Sequence, residues 1–288
     1  MPNATTTVPP ESCLACHMIV QPQVLYNVYG YSIVRCPSCG LGRTILTTVD
    51  FDPAAIYNES YFQGGQSDGY ADYQGSHESL AKEFRHVYLD IAAAGITRGK
   101  LLEIGCAYGF FLDEAGSSFQ VCGVELAQEA VAACCARGLD VVRWADEAFY
   151  SERGPFDVVV MLDVIEHLRN PDALLHDLSR HTRIGSLLVI TTGDFGSLVA
   201  RIMGKQWRLM TPPQHLWYFT ADAISRLLAA HDYRLVRLTH PKKTVPMNLM
   251  FYQLARYLGI QTAFRNIKIS GSIHVNLFDA MRVIAERV

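Results

Sequence analysis

Leu101-Leu102-Glu103-Ile104-Gly105-Cys106-Ala107-Tyr108-Gly109 is an apolar run that breaks into a glycine-containing turn. A short apolar run bounded by glycine has the pattern of a buried strand. Glycines just past its end suit a place where backbone approaches a ligand, because a side chain at Gly105 or Gly109 would occupy the ligand's space. A plain strand-to-helix turn can look the same, so the flanks decide its meaning.

Downstream, the pattern alternates. Residues 110–115 read as helix, 120–125 as strand, 127–137 as helix, and 140–144 and 156–162 as strands. Then come helix 173–181, strand 186–192, helix 221–231 and strand 233–239. Upstream, Leu80, Phe84, Val87, Tyr88 and Ile91 share one face of a helix over 77–94 that stops at Gly95. Short apolar strands alternating with helices build a parallel sheet covered on both faces, so the class is α/β, doubly wound. Ligands of such sheets lie beyond the C-terminal strand ends. That selects residues 103–109, Glu125, Asp146, 163–167, Gly193 and Asp194.

The 288 residues, 50% hydrophobic and 18% charged, suffice for a full core plus a small appendage. A net charge of -3 supplies no general attraction to phosphate backbones, so nucleic acid is not an expected partner. There is no apolar run of about 18 residues, and the first residues lack the basic and apolar regions of a signal peptide. A soluble, cytoplasmic protein without a membrane partner is expected.

The eight cysteines are split, four as Cys-x-x-Cys pairs near the start and four in later apolar segments. That split suits metal ligands plus buried thiols better than a secreted disulfide framework. Cys13, Cys16, Cys36 and Cys39 follow the spacing Cys-x2-Cys-x19-Cys-x2-Cys, inside the zinc-ribbon window, and residues 24–34 read as the hairpin between the pairs. Four thiolates leave no open position, so Zn2+ here is expected to be structural and to supply folding energy to residues 1–45. His17 is a spare ligand only if one cysteine is unused.

Residues 46–95 join that module to the rest. Their first part is rich in Tyr and Gly (Tyr57, Tyr61, Phe62, Gly64, Gly65, Gly69, Tyr70, Tyr73), as in loops that close over a ligand or linkers that pack their aromatics on a domain.

The turn at 105–109 is not Gly-x-Gly-x-x-Gly, Ala107 stands near the place of the middle glycine, and no P-loop is present. Glu103 would repel a pyrophosphate and hold an ammonium. Glu125, twenty residues after Gly105, can accept from both ribose hydroxyls. A ligand with a ribose, a purine and an ammonium is S-adenosylmethionine. Over residues 55–240 the chain resembles class I S-adenosylmethionine-dependent methyltransferases: Glu103-Ile-Gly105-Cys-Ala-Tyr-Gly109, Gly123-Val-Glu125, Ala145-Asp146, and Phe156-Asp157 through Asp163-Val-Ile-Glu166-His167 match family motifs.

The resemblance implies a Rossmann-like, mostly parallel seven-stranded sheet closed by an antiparallel hairpin, for which residues 273–285 are available. It also implies a cofactor site of Tyr61, Tyr70, Tyr73, Glu103, Gly105, Cys106, Ala107, Gly109, Glu125, Leu126, Asp146 and Asp163. Tyr61-Phe62 to Tyr73 resembles the cofactor-covering segment of members with an N-terminal zinc module. Ala107 departs from the family, which often has glycine there.

Methyl transfer requires an aligned acceptor and, for a hydroxyl or carbon acid, removal of a proton. His167, after the fourth strand, and His215, in the aromatic loop 207–219, are the candidates. Either could instead hydrogen-bond a backbone carbonyl and fix its loop. Asp163, Glu166 and His167 at i, i+3 and i+4 would also share one helical face suited to Mg2+. Residues 96–288 are thus read as the methyltransferase domain, with Met247, Met250, Phe251, Leu254 and Leu258 as core or a helical lid.

The function expected is methylation of a small metabolite at oxygen, nitrogen or carbon, as in specialised biosynthesis. RNA modification with the ribbon as dock is the alternative, but Arg35, Arg43 and His17 are few basic groups for it. A non-catalytic S-adenosylmethionine-binding protein is the third reading.

Overall fold

The structure, a computed structural model, describes residues 8–46, 77–246 and 272–288. Tyr61, Tyr70 and Tyr73 and the apolar run from 247 to 258 lie outside the described residues.

The N-terminal module begins with β1 (Glu11–Ser12) paired to β2 (Ile19–Val20), followed by β3 (Gln23–Val28), β4 (Tyr31–Arg35) and β5 (Gly42–Ile45) as an antiparallel meander. The expected hairpin is present, and it turns at Tyr29 and Gly30, both at positive φ (50° and 86°), as a two-residue turn matched to strand twist requires.

The main unit then runs α1 (His77–Ala93), β6 (Gly99–Ile104), α2 (Phe110–Ala115), β7 (Phe119–Val124), α3 (Gln128–Ala136), β8 (Val141–Val142), α4 (Glu147–Arg153) and β9 (Phe156–Leu162). A 3-10 turn (Ile165–His167), α5 (Pro171–Arg180), β10 (Thr182–Gly193), α6 (Leu198–Met203), β11 (Trp217–Tyr218), α7 (Ala221–Ala229) and β12 (Tyr233–Thr239) follow. The last elements are β13 (Lys243–Pro246), β14 (Ser272–Val275) and β15 (Ala280–Arg287). Among the described residues no helix is long and apolar enough to cross a membrane.

Seven strands form one sheet in the order β12-β15-β10-β9-β6-β7-β8. The five from β10 to β8 are parallel, and β15 lies antiparallel between β10 and β12. The closing hairpin is therefore made by β12 and β15. The first residues of the 273–285 segment expected to supply it instead belong to β14 and pair with β13 in a separate two-stranded ribbon.

The central strands are buried on both faces, which is why they read as unbroken apolar runs. In β9, Val158, Val159, Val160 and Met161 are all inaccessible. Leu102 and Ile104 pack with Leu175 of α5 and Leu227 of α7 on one face, while Leu101 packs with Phe84 and Ile91 of α1 and Phe111 of α2 on the other. Strand order reverses between β6 and β9, which places the crevice over the ends of these two strands.

The ribbon is not a separate appendage. Cys13, Ala15, Cys36, Cys39 and Leu41 belong to the same apolar cluster as Leu102 and Phe219. β11 also joins the ribbon sheet, with Trp217 opposite Arg43 and Tyr218 opposite Gly42.

Candidate functional site

After β6 the chain folds tightly back on β7, with the Gly105 and Cys106 N–H groups both donating to the Val124 carbonyl (2.8 and 3.2 Å). Gly105 and Gly109 sit at φ +73°, and a Cβ on Gly105 would stand 2.5 Å from Val164 Cγ2, one on Gly109 2.6 Å from Leu139 Cδ1. The glycines are thus required by backbone conformation and by protein neighbours, whatever ligand lies beyond them. Gly105→Ala is expected to destabilise the fold by about 3 kcal/mol, combining left-handed strain with overpacking. Urea denaturation measures it, and adding Val164→Ala should recover the overpacking part alone.

Ala107 occupies the same left-handed region at φ 45°, which is why glycine suits this position. Its N–H donates to Glu125 Oε2 (2.9 Å), and the Ala127 N–H donates to Oε1 (2.8 Å). Glu125, 6% exposed, therefore holds the turn as well as facing the strand ends. A carboxylate has about four acceptor sites, so these two bonds leave capacity for hydroxyl donors. Burial raises its pKa, and the backbone donors oppose the shift.

Cys106 is buried beneath the turn, where a Cβ on Gly123 would approach its Sγ to 2.6 Å. Its thiol is part of the core and points back to the Ala107 carbonyl of the turn (4.0 Å). The Leu126 carbonyl accepts from Arg143 Nε (3.1 Å), and Asp146 caps α4 by accepting from the Phe149 N–H (2.8 Å). Asp163, at φ 56°, takes the Thr191 hydroxyl on Oδ1 (2.9 Å).

Glu103 is 3% exposed, flanked in the sheet by Gly123 and Val160. Among the described residues its Oε2 has no hydrogen-bond partner. Burial holds its pKa well above the usual carboxylate range, and nearby Cys134 and Glu125 push the same way. A buried carboxyl lacking a partner is costly unless a cation or donor meets it, and the ammonium of S-adenosylmethionine fits that demand. The adjacent Glu125 fits its ribose.

The two histidines, distant in sequence, meet. Their ring centroids are 4.6 Å apart at 76°, and one donor atom each from Glu166, His167 and His215 lie within 4.8 Å of one another. His167 Nδ1 donates to the Gln214 carbonyl (3.0 Å), and the Leu209 carbonyl raises the pKa of His215 against the effect of burial. A carbonyl can only accept, so in the neutral His167 ring Nδ1 carries the proton and Nε2 is the accepting nitrogen. The loop-fixing role and the acceptor role are therefore compatible.

The i, i+3, i+4 face expected for Mg2+ does not form. Residues 165–167 make a 3-10 turn, and the atoms it gathers are those of Glu166, His167 and His215, without Asp163. Sequence reasoning took Glu166 only as a metal ligand and missed this grouping, since nothing local links it to residue 215. Arg208 was also missed; it is held by the buried Asp279 through Nε (2.9 Å) and Nη2 (3.0 Å) and faces His215.

Burial lowers the pKa of His167, and lowers that of His215 further with His167 as a second cause. Below about pH 6.5 the unfolded chain then binds more protons than the folded one. The histidines' contribution to stability is expected to be full above that pH and to be lost as the pH drops toward their folded-state values. Melting temperatures across that range should show it, and His167→Gln should flatten the slope.

The four N-terminal cysteines converge, with Cys13 and Cys39 Sγ 3.6 Å apart and Cys16 and Cys36 Sγ 3.8 Å apart. A tetrahedral ion with thiolates at about 2.3 Å has S–S edges of about 3.8 Å, so the set fits zinc. The hydrogen bond from Cys39 pulls Cys13 down to about 4. Both pairs close the same turn: the His17 N–H donates to the Cys13 carbonyl and the Gly40 N–H to the Cys36 carbonyl, with φ of 54° at His17 and 75° at Gly40. His17 is exposed and serves as the hinge of its turn, so it is not a spare ligand.

Residues 76–238, more than half of the chain, match a family described as "Methyltransferase domain". A ubiquinone biosynthesis O-methyltransferase of Maricaulis maris is 29% identical over 118 residues, 38% of this chain and 46% of that protein. Its namesake in a Caulobacter species is 26% identical over 144 residues, 45% and 57% of the two chains. The chain thus spans about half the length of the curated relatives it matches.

Among solved structures, magnesium protoporphyrin IX methyltransferase from Synechocystis, with bound S-adenosylhomocysteine, superposes with TM-score 0.52 at 13% identity. That match covers 82% of this chain and 98% of that one. A methyltransferase from Archaeoglobus fulgidus gives 0.50 at 18% identity, covering 82% and 100%. At these identities the likeness is one of fold.

Proposed function

Because the chain belongs to the methyltransferase-domain family, we propose that it moves a methyl group from S-adenosylmethionine to a small-molecule acceptor. The observation that carries this reading is buried Glu103, whose Oε2 has no hydrogen-bond partner among the described residues, beside Glu125 at the ends of β6 and β7. S-adenosylmethionine supplies an electrophilic methyl on a sulfonium. Glu103 would hold its ammonium, Glu125 its ribose hydroxyls, and the backbone of 105–109 its methionyl part. Asp163 borders the same crevice from β9.

On the acceptor side, a neutral imidazole of the His167/His215 pair takes the acceptor's proton, and His215 is assigned that step. His167 orients it, and Glu166 stabilises the positive charge that develops. The depressed pKa values keep both rings neutral and ready to accept. The cysteine set is assigned a structural zinc on the match of its edges to a tetrahedron. A small acceptor is favoured over RNA because Arg43 is paired with Glu11 and Arg35 lies over the Phe195 ring, 6.0 Å from its centroid.

Labelled S-adenosylmethionine offered with phenols, amines, sugar derivatives, tRNA and rRNA tests the reading; label appearing only in RNA would replace it. Cofactor binding has its own signature. A cation at Glu103 favours its ionised form and so opposes the upward shift that burial imposes on its pKa. Titration calorimetry in buffers of different ionisation enthalpy is expected to show proton release, absent in Glu103→Gln.

A further inference from the structure

Thr44 belongs to the ribbon, yet its 4% exposed side chain is turned to the acceptor loop. Its hydroxyl donates to the His215 carbonyl (2.7 Å), with the Tyr218 hydroxyl 3.3 Å away, and its N–H donates to the Leu216 carbonyl (2.9 Å). From the opposite side the same segment is held by the turn after β9. The Leu216 N–H donates to the Glu166 carbonyl (2.8 Å), His167 Nδ1 to the Gln214 carbonyl (3.0 Å), and Trp217 Nε1 to the Leu168 carbonyl (2.8 Å). Residues 214–217 are pinned between two elements, and Thr44 is the ribbon side chain aimed at the residue that bears the imidazole.

A buried strand position with this shape would accept Val, which is as good a strand former and has no hydroxyl to satisfy. The hydroxyl therefore has a use. A carbonyl and an imidazole on one residue share a Cα, so fixing the peptide plane limits where the ring can sit. We propose that Thr44 is a positioning residue, which through the His215 carbonyl sets the His215 imidazole against His167 and couples the cysteine ribbon to the acceptor side of the site. This rests on the reading of His215 as the acceptor-side base.

The test uses the full chain with Thr44→Val, which keeps the shape and loses the donor, and Thr44→Ser, which keeps the donor. The readouts are the His215 titration by NMR of histidine-labelled protein, amide exchange, and binding of S-adenosylhomocysteine. The ring is faced by Asp163, Glu166 and His167 from the turn after β9, by Arg208 from its own loop, and by Tyr218 from β11. All of these remain in each variant.

In Thr44→Val, amides 214–218 should exchange about tenfold faster, the loss of one buried hydrogen bond. The His215 midpoint should move up toward that of a solvated imidazole. Exchange at 101–109 and S-adenosylhomocysteine affinity should not change, and Thr44→Ser should restore both altered readouts. An unchanged His215 titration overturns the proposal. So does a shift that Thr44→Ser fails to restore, or a general loss of fold in Thr44→Val, which would make Thr44 a packing residue. Turnover of His215→Asn judges the base assignment separately, since the Thr44 readouts are taken on the ring and need no acceptor.

Discussion

Cys39→Ser is expected to unfold the N-terminal ribbon and to release the acceptor loop with it. A module spanning residues 8–46 has little core of its own. Structural zinc supplies about 10–16 kcal/mol to small metal-folded peptides, as much as the whole stability of an ordinary domain, about 5–15 kcal/mol. The damage should travel. The Cys39 carbonyl accepts from the Thr220 hydroxyl (2.9 Å), and Thr220 Oγ1 in turn accepts from the Ala223 N–H to cap α7 (3.1 Å). β5, beyond the cysteine turn, carries β11. Metal analysis should fall from about one zinc per chain toward none, and amides 214–220 should lose protection together with 8–46. Full ribbon protection in metal-free protein would refute the zinc assignment.

His215→Asn is expected to lower turnover by about 10²–10⁴, the usual worth of a positioned general base. The loop is held by bonds to Thr44, Glu166 and Leu168 that Asn leaves in place, so it should keep its path while the proton acceptor is gone. S-adenosylmethionine affinity should change by less than about twofold, because among the described residues the hydrogen bonds of His215 go to Thr44 and Thr211 and not to the turn at 105–109. A loss confined to KM for the acceptor would instead mean that the ring only binds. A loss below about fivefold would leave alignment, not proton removal, as the source of catalysis.

The strands that organise the sheet were legible because burial on both faces demands unbroken apolar runs: β9 was read at 156–162, its observed extent. β8 was overread as 140–144, since Trp144 is 63% exposed and the strand is two residues long. Asp146 was legible as a polar residue after that strand but not as a helix cap, because a cap depends on where α4 starts. Glu103 and Glu125 could be found from their places after apolar strands. The contact between the histidines could not, because it joins residues from separate loops through backbone bonds. β11 was missed for the same reason: two residues carry no periodicity, and their partner lies about 175 positions earlier.

The sharing of β11 also bears on how such a protein can be recombined. A junction placed after residue 45, where the composition changes, would cut through one hydrogen-bonded sheet and separate Thr44 from the carbonyls it serves. A workable chimera with another ribbon would have to exchange residues 8–46 and 207–220 together, and a ribbon could be lost in descent only if the loop bearing His215 were rebuilt at the same time. The unit of inheritance here is discontinuous in the chain.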